Sequence, residues 1–297
     1  MMSESPRILG VCWYTDEATC SISAPFLDDP KNNASADKNS VGHILPLSSL
    51  SVFCRDHQIV KIHLLISSPD ECWVQRPAQD SPEYASSNQG EAPHLLNPSF
   101  AGALLFGLDT EHDSKRMAEP NIYSLDDASP LTVWMHPKRI QGLRKHIPQE
   151  IEVTCFFEPS FAIHLAESTV MNPLDPEKAG NAESNLLFFV APHYVSAFWV
   201  NMRNHRLRDA MRIPLRAAED LSFFIENAAI SYPWLKIEHD SVNWIRIGIE
   251  NTETLGVAEA VETTDTVEKC LKAIYSDLQR LSLPDSGIAE WLASRIE

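Results

Sequence analysis

Glycine is scarce in this chain, with ten in 297 residues. Loops that cradle phosphate need it, because only a backbone without Cβ lets successive N–H groups close on an anion. Neither G-x-G-x-x-G nor G-x-x-x-x-G-K-[ST] occurs, and G-x-S-x-G and H-E-x-x-H are missing too. Positive charge is also short: 24 Lys and Arg stand against 41 Asp and Glu, a formal net charge of −17. Such a field repels phosphate, which argues against general binding to nucleic acid or an anionic membrane surface. No run approaches the ~18 apolar residues of a membrane helix, so no direct membrane insertion is expected. The opening MMSESPRILGVCWY has too short an apolar run for a secretion signal. The six cysteines form no C-x-x-C and lie mostly in apolar runs such as GVCWY and VTCFF. Buried, reduced thiols are expected rather than disulfides or a zinc site, and the cytoplasm is the expected location.

Hydrophobic residues are plentiful at 44%, enough for one large domain or two modest ones. Ile8–Tyr14 and Thr19–Ser23 read as a strand pair, and Asp28–Ser40 as a long polar loop. Leu47–Phe53 reads as a short helix, Ile59–Ser67 as a buried strand and Glu71–Gln75 as another strand. The Pro-, Ser- and Gln-rich stretch 77–98 reads as irregular, and Phe100–Leu108 as a helix. Leu131–Met135 is expected to be a strand and Pro137 to start a helix reaching about Ile147. A strand at Glu152–Phe157 and a helix opening at Pro159 follow. The polar loop 172–184 is the best domain boundary. Beyond it, Asn185–Val190, Val195–Val200 and Leu207–Ile213 suit an antiparallel meander. Helices are expected over Ala217–Ile230, Thr266–Leu281 and Ile288–Ile296, with a strand at Asn243–Ile249. Both halves open with antiparallel strands and continue with alternating helices and strands, a coarse internal echo.

Eleven histidines invite a metal or catalytic reading, but His57 and His63, and His136 and His146, are not at ligand spacing. His239-Asp240 could orient an imidazole, yet no nucleophile can be assigned beside it. Two basic clusters stand out: HPKRIQGLRKH, with Lys138, Arg139, Arg144 and Lys145, and NMRNHRLRDAMR, with Arg203, Arg206, Arg208 and Arg212. They read either as solvated faces paired with nearby carboxylates or as a docking patch for an acidic partner. Arg139, Arg144, Arg206 and Arg208 are the candidate partner-binding residues. Tyr194 and Trp199 are core residues or interface anchors.

The stretch LTVWMHPKRIQGLRKHIPQEIEVTCFFEPSFAIHLAES resembles part of the actin-like type IV pilus assembly protein PilM and of the cytoplasmic domain of the type II secretion protein GspL. NLLFFVAPHYVSAFWVNMRNHRLRDAMRIPL resembles the three-strand meander of that family, and RILGVCWYTDEATCSIS occupies the place of its first hairpin. The resemblance covers most of the chain, in pattern and order rather than in an invariant motif. It implies an α/β, actin-like (ribonuclease H-like) fold of two lobes with mixed sheets. The first lobe would span residues 1–170, with an inserted subdomain and polar loops, and the second 171–297.

Members of the family that bind ATP carry Asp-x-Gly turns in both hairpins. Here those turns read Trp13-Tyr14-Thr15-Asp16 and Ala191-Pro192-His193, and the late Gly-Gly is replaced by Glu250-Asn251-Thr252. With all three elements gone, the resemblance implies no cofactor and a scaffold in an inner-membrane secretion or pilus-like assembly. The partner would be a segment of a membrane protein or an assembly ATPase, able to recruit the chain to the inner membrane. A degenerate ATP-dependent kinase-like enzyme of the same fold, with Asp16 or Glu17 on a metal, is the alternative reading. An unrelated α+β protein that imitates the strand order is a third.

Overall fold

The structure, a computed structural model, describes residues 7–14, 18–24, 43–68, 71–75, 121–123, 125, 131–134, 142–167, 184–191, 193–215, 221–247, 258–281 and 287–295. The loops expected at 28–40, 77–98 and 172–184, the helix expected at 100–108 and the residues 135–141 that hold Arg139 lie almost wholly outside that set.

The N-terminal apolar run forms β1 (Ile8–Tyr14), which hairpins with β2 (Thr19–Ser23). Next come β3 (His43–Pro46), helix α1 (Leu50–Asp56) and β4 (Lys61–Ser67), with β8 (Glu152–Phe156) at the far edge. The strands lie in the order β3-β2-β1-β4-β8, where β1, β4 and β8 run parallel and β2 and β3 antiparallel. Between β4 and β8 the chain makes a small antiparallel sheet of β5 (Cys72–Gln75), β6 (Asn121–Tyr123) and β7 (Leu131–Trp134).

The second large sheet repeats the plan. The meander β9 (Ser184–Ala191), β10 (Tyr194–Asn201) and β11 (Arg206–Pro214) is followed by β12 (Ser241–Arg246) and β13 (Leu278–Arg280), ordered β11-β10-β9-β12-β13. Again β9, β12 and β13 are parallel and the hairpin strands antiparallel. One five-stranded order used twice is the two-lobed, actin-like α/β architecture that the resemblance implies, and it excludes a chance imitation of strand order.

Helix α2 (Glu158–Glu167) lies between the large sheets and contacts β4, β10 and β11. The alternation of β9 explains why. Leu187 and Phe189 face a core that also holds Leu9, Leu64, Phe161 and Leu292, while Leu186 and Phe188 face α3 (Leu221–Ser231) and α4 (Ala258–Ile274). Phe161 packs its ring 5.8 Å from Phe189 and 5.2 Å from Trp291. The last helix, α5 (Gly287–Arg295), returns to the first sheet and packs on β1, β2 and β4.

Three expectations need correcting. The helix expected through Leu281 stops at Ile274, because Leu278 turns back to bury beside β12, whose edge β13 pairs. Of the helix expected from Pro137, the described part is one turn at 142–144, closed by bonds such as His146 N to the Leu143 carbonyl. Cys155, on the edge strand β8, is exposed and Cys270 half-buried, whereas Cys12, Cys20 and Cys54 are buried free thiols as expected. No helix among the described residues is long and apolar enough to cross a membrane.

Candidate functional site

The site lies at the seam between the two large sheets. Tyr194 and Ser196 are two apart on β10 and so share a face, and Ser196 sits directly opposite Arg212 on β11. That face meets the end of β4 (Ser67, Ser68), the turn that delivers Glu71, and Glu158 in the first turn of α2. The Ser160 hydroxyl caps that helix start, accepting from Phe157 N–H at 3.0 Å.

The carboxylate of Glu158 is fully enclosed and saturated. Its Oε1 accepts from the Ser67 hydroxyl at 2.6 Å and the Tyr194 hydroxyl at 2.5 Å; Oε2 accepts from Ser196 at 2.5 Å and Arg212 Nη2 at 2.9 Å. Arg212 also donates through Nη1 to the Ser68 carbonyl at 2.7 Å, through Nε to Ser196 at 3.1 Å and through Nη2 to Glu71 Oε2 at 2.9 Å. Its guanidinium lies 4.0 Å from the centre of the Tyr194 ring and 4.5 Å from that of Trp73. Stacking, forked donation and two carboxylates together explain an arginine that is only 9% exposed.

Charge does not balance in this network. Two carboxylates share one guanidinium, and Glu71, also buried, is the less satisfied of the two. Its Oε2 accepts from Trp73 Nε1 at 3.1 Å as well as from Arg212, but its Oε1 has no partner. Burial pushes the Glu71 carboxyl up to about 7 despite the pull of Arg212, with Glu158 adding to the rise. Burial opposes the charge of Arg212, but Glu158 and Glu71 outweigh it and hold the guanidinium protonated. Burial and then Glu158 raise the Tyr194 phenol far above its ordinary value, which keeps it a donor. Of the two carboxyls, Glu71 is therefore the one that burial disposes to take up a proton.

The end of β1 and the start of β10 lie against each other. The Tyr14 ring, at the end of β1, lies 6.4 Å from that of His193 and 6.3 Å from that of Tyr194, and both tyrosines are buried. Asp16 and Glu17 lie outside the described residues. Among the described residues no group of three or more His, Cys, Asp or Glu could hold a metal.

Sequence reading did not assemble this network. Arg212 belonged to a cluster read as a polar hairpin or docking patch, and the structure separates its members. Arg206 is exposed, Arg208 is half-buried with its guanidinium 5.1 Å from the centre of the Trp199 ring, and Arg212 is at the seam. Arg144 is exposed, and Arg139 lies outside the described residues. The overlooked signal was a lone charge inside apolar sequence, as in FFEPSF and DAMRIPL. Tyr194 proves to be core. His239, beside which the sequence assigns no nucleophile, has the hydroxyl of Ser184 as a neighbour, with Oγ 2.8 Å from its Nδ1. His239 Nε2 is 2.7 Å from the Trp234 carbonyl, which fixes the tautomer and makes Nδ1 the acceptor.

No protein-family model matches the sequence, and no curated protein is similar to it. Solved structures are similar at the level of fold. A Bacteroides thetaiotaomicron protein with an actin-like ATPase fold aligns over 98% of this chain and 96% of its own, at 12% identity and TM-score 0.48. The cytoplasmic domain of EpsL, an inner-membrane component of the type II secretion system of Vibrio cholerae, aligns over 88% and 95%, at 11% and 0.40. The PilM–PilN type IV pilus biogenesis complex aligns over 98% and 90%, at 9% and 0.43. An Aquifex aeolicus Ppx/GppA phosphatase shares the fold as well, at 6% identity and TM-score 0.41 over 99% of this chain. These include the families that the sequence resembles. At such values the doubled sheet order, not the likeness, carries the fold.

Proposed function

We propose that this chain is a nucleotide-free actin-like scaffold of an inner-membrane secretion or pilus-like assembly. Its two lobes divide near residue 170, with α5 crossing back to the first. The closed seam carries the proposal: Tyr14 meets His193 and Tyr194, and Arg212 ties β11 to Ser68, Glu71 and Glu158. A fold can keep its architecture and outer surfaces without a nucleotide site, which suits docking. The partner is a segment of a membrane protein or an assembly ATPase. Arg139, Arg144, Arg206 and Arg208 are the residues proposed to meet it, and of these Arg144 and Arg206 are exposed and Arg208 is half-buried.

Titration with Mg-ATP by calorimetry, together with an assay for release of phosphate from ATP, tests the reading. No heat of binding and no turnover are expected. Micromolar binding of Mg-ATP, or its turnover, would favour the ATP-dependent kinase-like alternative. Charge reversal of Arg139 and Arg144 is expected to weaken partner capture at unchanged thermal stability; unchanged capture would remove that patch.

A further inference from the structure

Helix α3 is apolar on two opposite faces. Leu221, Ile225 and Ala229 form the stripe buried against the second sheet. Phe223 and Ile230 are seven residues apart, so they point within about 20° of each other on the far side. They are 65% and 79% exposed, the highest values of any large apolar side chain among the described residues. Glu226 is the one charge in the eleven residues of the helix, and Asn227 turns its Nδ2 back to the Phe223 carbonyl at 2.7 Å. Past the helix, Ile237 and Ile274 are also exposed, and the bond from the Tyr275 hydroxyl to the Leu235 carbonyl at 2.8 Å brings their two segments together. A helix apolar all round ordinarily lies inside a protein. The four exposed residues offer roughly 400 Å² of apolar side chain, the size at which a surface patch marks an interaction site.

Charge decides what fits. Residues 221 to 281 include ten acids and five bases, and the whole chain carries −17. Glu226 flanks the ridge, Glu238 follows Ile237, and Asp277 lies three residues past Ile274, all of them exposed. Of the bases, Lys272 is already paired with Glu268 at 2.5 Å. A second copy of this chain, or an anionic bilayer, would bring more negative charge to a negative surface. A cationic amphipathic helix brings apolar side chains for Phe223 and Ile230, and Lys or Arg for the acids around them. We infer that the outer face of α3 docks a cationic amphipathic helix of a partner protein, its apolar stripe laid along Phe223 and Ile230. Neither the seam nor the four arginines of the scaffold reading take part, so the docking is independent of that reading.

The test titrates the full chain, at physiological salt, into a fluorescently labelled helical peptide with Leu at heptad positions a, d and e and Lys elsewhere, and into a counterpart with Glu in place of Lys. Anisotropy is expected to show the Lys peptide bound at least tenfold tighter than the Glu peptide. The double variant Phe223→Ser/Ile230→Ser is expected to lose at least tenfold of that affinity at an unchanged melting temperature, since both side chains are exposed. Val52→Ser, at an exposed apolar residue of α1, is expected to keep it. Should the double variant melt lower, Ile230→Ser alone decides, with an expected loss of at least threefold. No binding of the Lys peptide, equal binding of the two peptides, affinity unchanged in the ridge variants, or the same loss in Val52→Ser overturns the inference. So does a dimer in sedimentation equilibrium, or adsorption of the chain to phosphatidylglycerol vesicles, that the double variant abolishes, because either gives the ridge to another occupant.

Discussion

Arg212 Nη2 and Glu158 Oε2 meet at 2.9 Å across the seam, although 54 residues separate them in the chain. A carboxylate with four donors and a guanidinium with two carboxylates make the joint specific, but their worth is asymmetric. Removing the cation leaves two buried carboxylates without compensation. Arg212→Met is expected to cost about 3–5 kcal/mol in urea denaturation at pH 8. Glu158→Gln is expected to cost about 1.5–3 kcal/mol through its lost charged hydrogen bonds. Glu71→Gln removes only the excess charge and is expected to be neutral or stabilising. A larger loss for Glu71→Gln than for Glu158→Gln would contradict this account.

The same imbalance sets a pH dependence. The Glu71 carboxyl ordinarily titrates at 4.5 and in the fold at about 7, so between these values the folded state holds the extra proton. Raising the pH therefore favours unfolding. The Glu71 contribution is intact below about 4.5 and lost as pH rises through about 7. Burial lowers the His63 imidazole from 6.5, so its contribution runs the opposite way and is lost as pH falls below that value. The stability difference between wild type and Glu71→Gln cancels the histidine. It is expected to shift against wild type from pH 4.5 to 7 and then level off; a flat difference would refute the assignment of the proton.

Gly10 is where α5 reaches β1. A Cβ there would stand 1.9 Å from the Ala289 carbonyl oxygen and 2.8 Å from Ala293 N, both backbone atoms that cannot swing aside. Gly10→Ala is expected to lift α5 from the sheet and destabilise by at least ~2–3 kcal/mol. A Cβ on Gly142 meets nothing within 4 Å, so Gly142→Ala is expected to be neutral or to stabilise by up to ~1 kcal/mol. Thermal melts of the pair suffice, and equal melting temperatures would rule out the close approach.

Ser184 and His239 have the contact of a nucleophile and its base, but Ser184 Oγ also accepts from Trp199 Nε1 at 2.7 Å. That bond engages one of the two lone pairs of the oxygen and holds the hydroxyl in a structural contact. Asp240 Oδ2 meanwhile accepts from Ser184 N–H at 2.9 Å, clamping the start of β9. No labelling by a fluorophosphonate is expected. Ser184→Ala is expected to cost about 1–2 kcal/mol, because it leaves two partly buried groups without their partner. Stoichiometric labelling would make the pair catalytic.

The strands were legible because each is a continuous or alternating apolar run. The expected strand Ile8–Tyr14 matches β1 residue for residue, and every end of the three meander strands lies one residue beyond its expected place. The break after Ile274 was not legible, since helical spacing runs on locally and only the open edge of β12 draws Leu278 into a sheet. The site was not legible either. Arg206, Arg208 and Arg212 look alike in sequence, and only the bulge at Trp199/Val200 and the position of α2 decide which of them is buried.

The amino-acid sequence by itself determined where most strands lie, that both halves open with antiparallel strands, and that glycine-lined phosphate loops are missing. Those are properties of residue type and short-range spacing, which local sterics and hydrophobic periodicity dictate. Tertiary structure alone decided that Glu71, Glu158 and Arg212 converge, that burial disposes one of them to take up a proton, and that α5 returns to the first sheet. Charge pairing and helix docking depend on distances between elements far apart in the chain, and no local pattern encodes those distances.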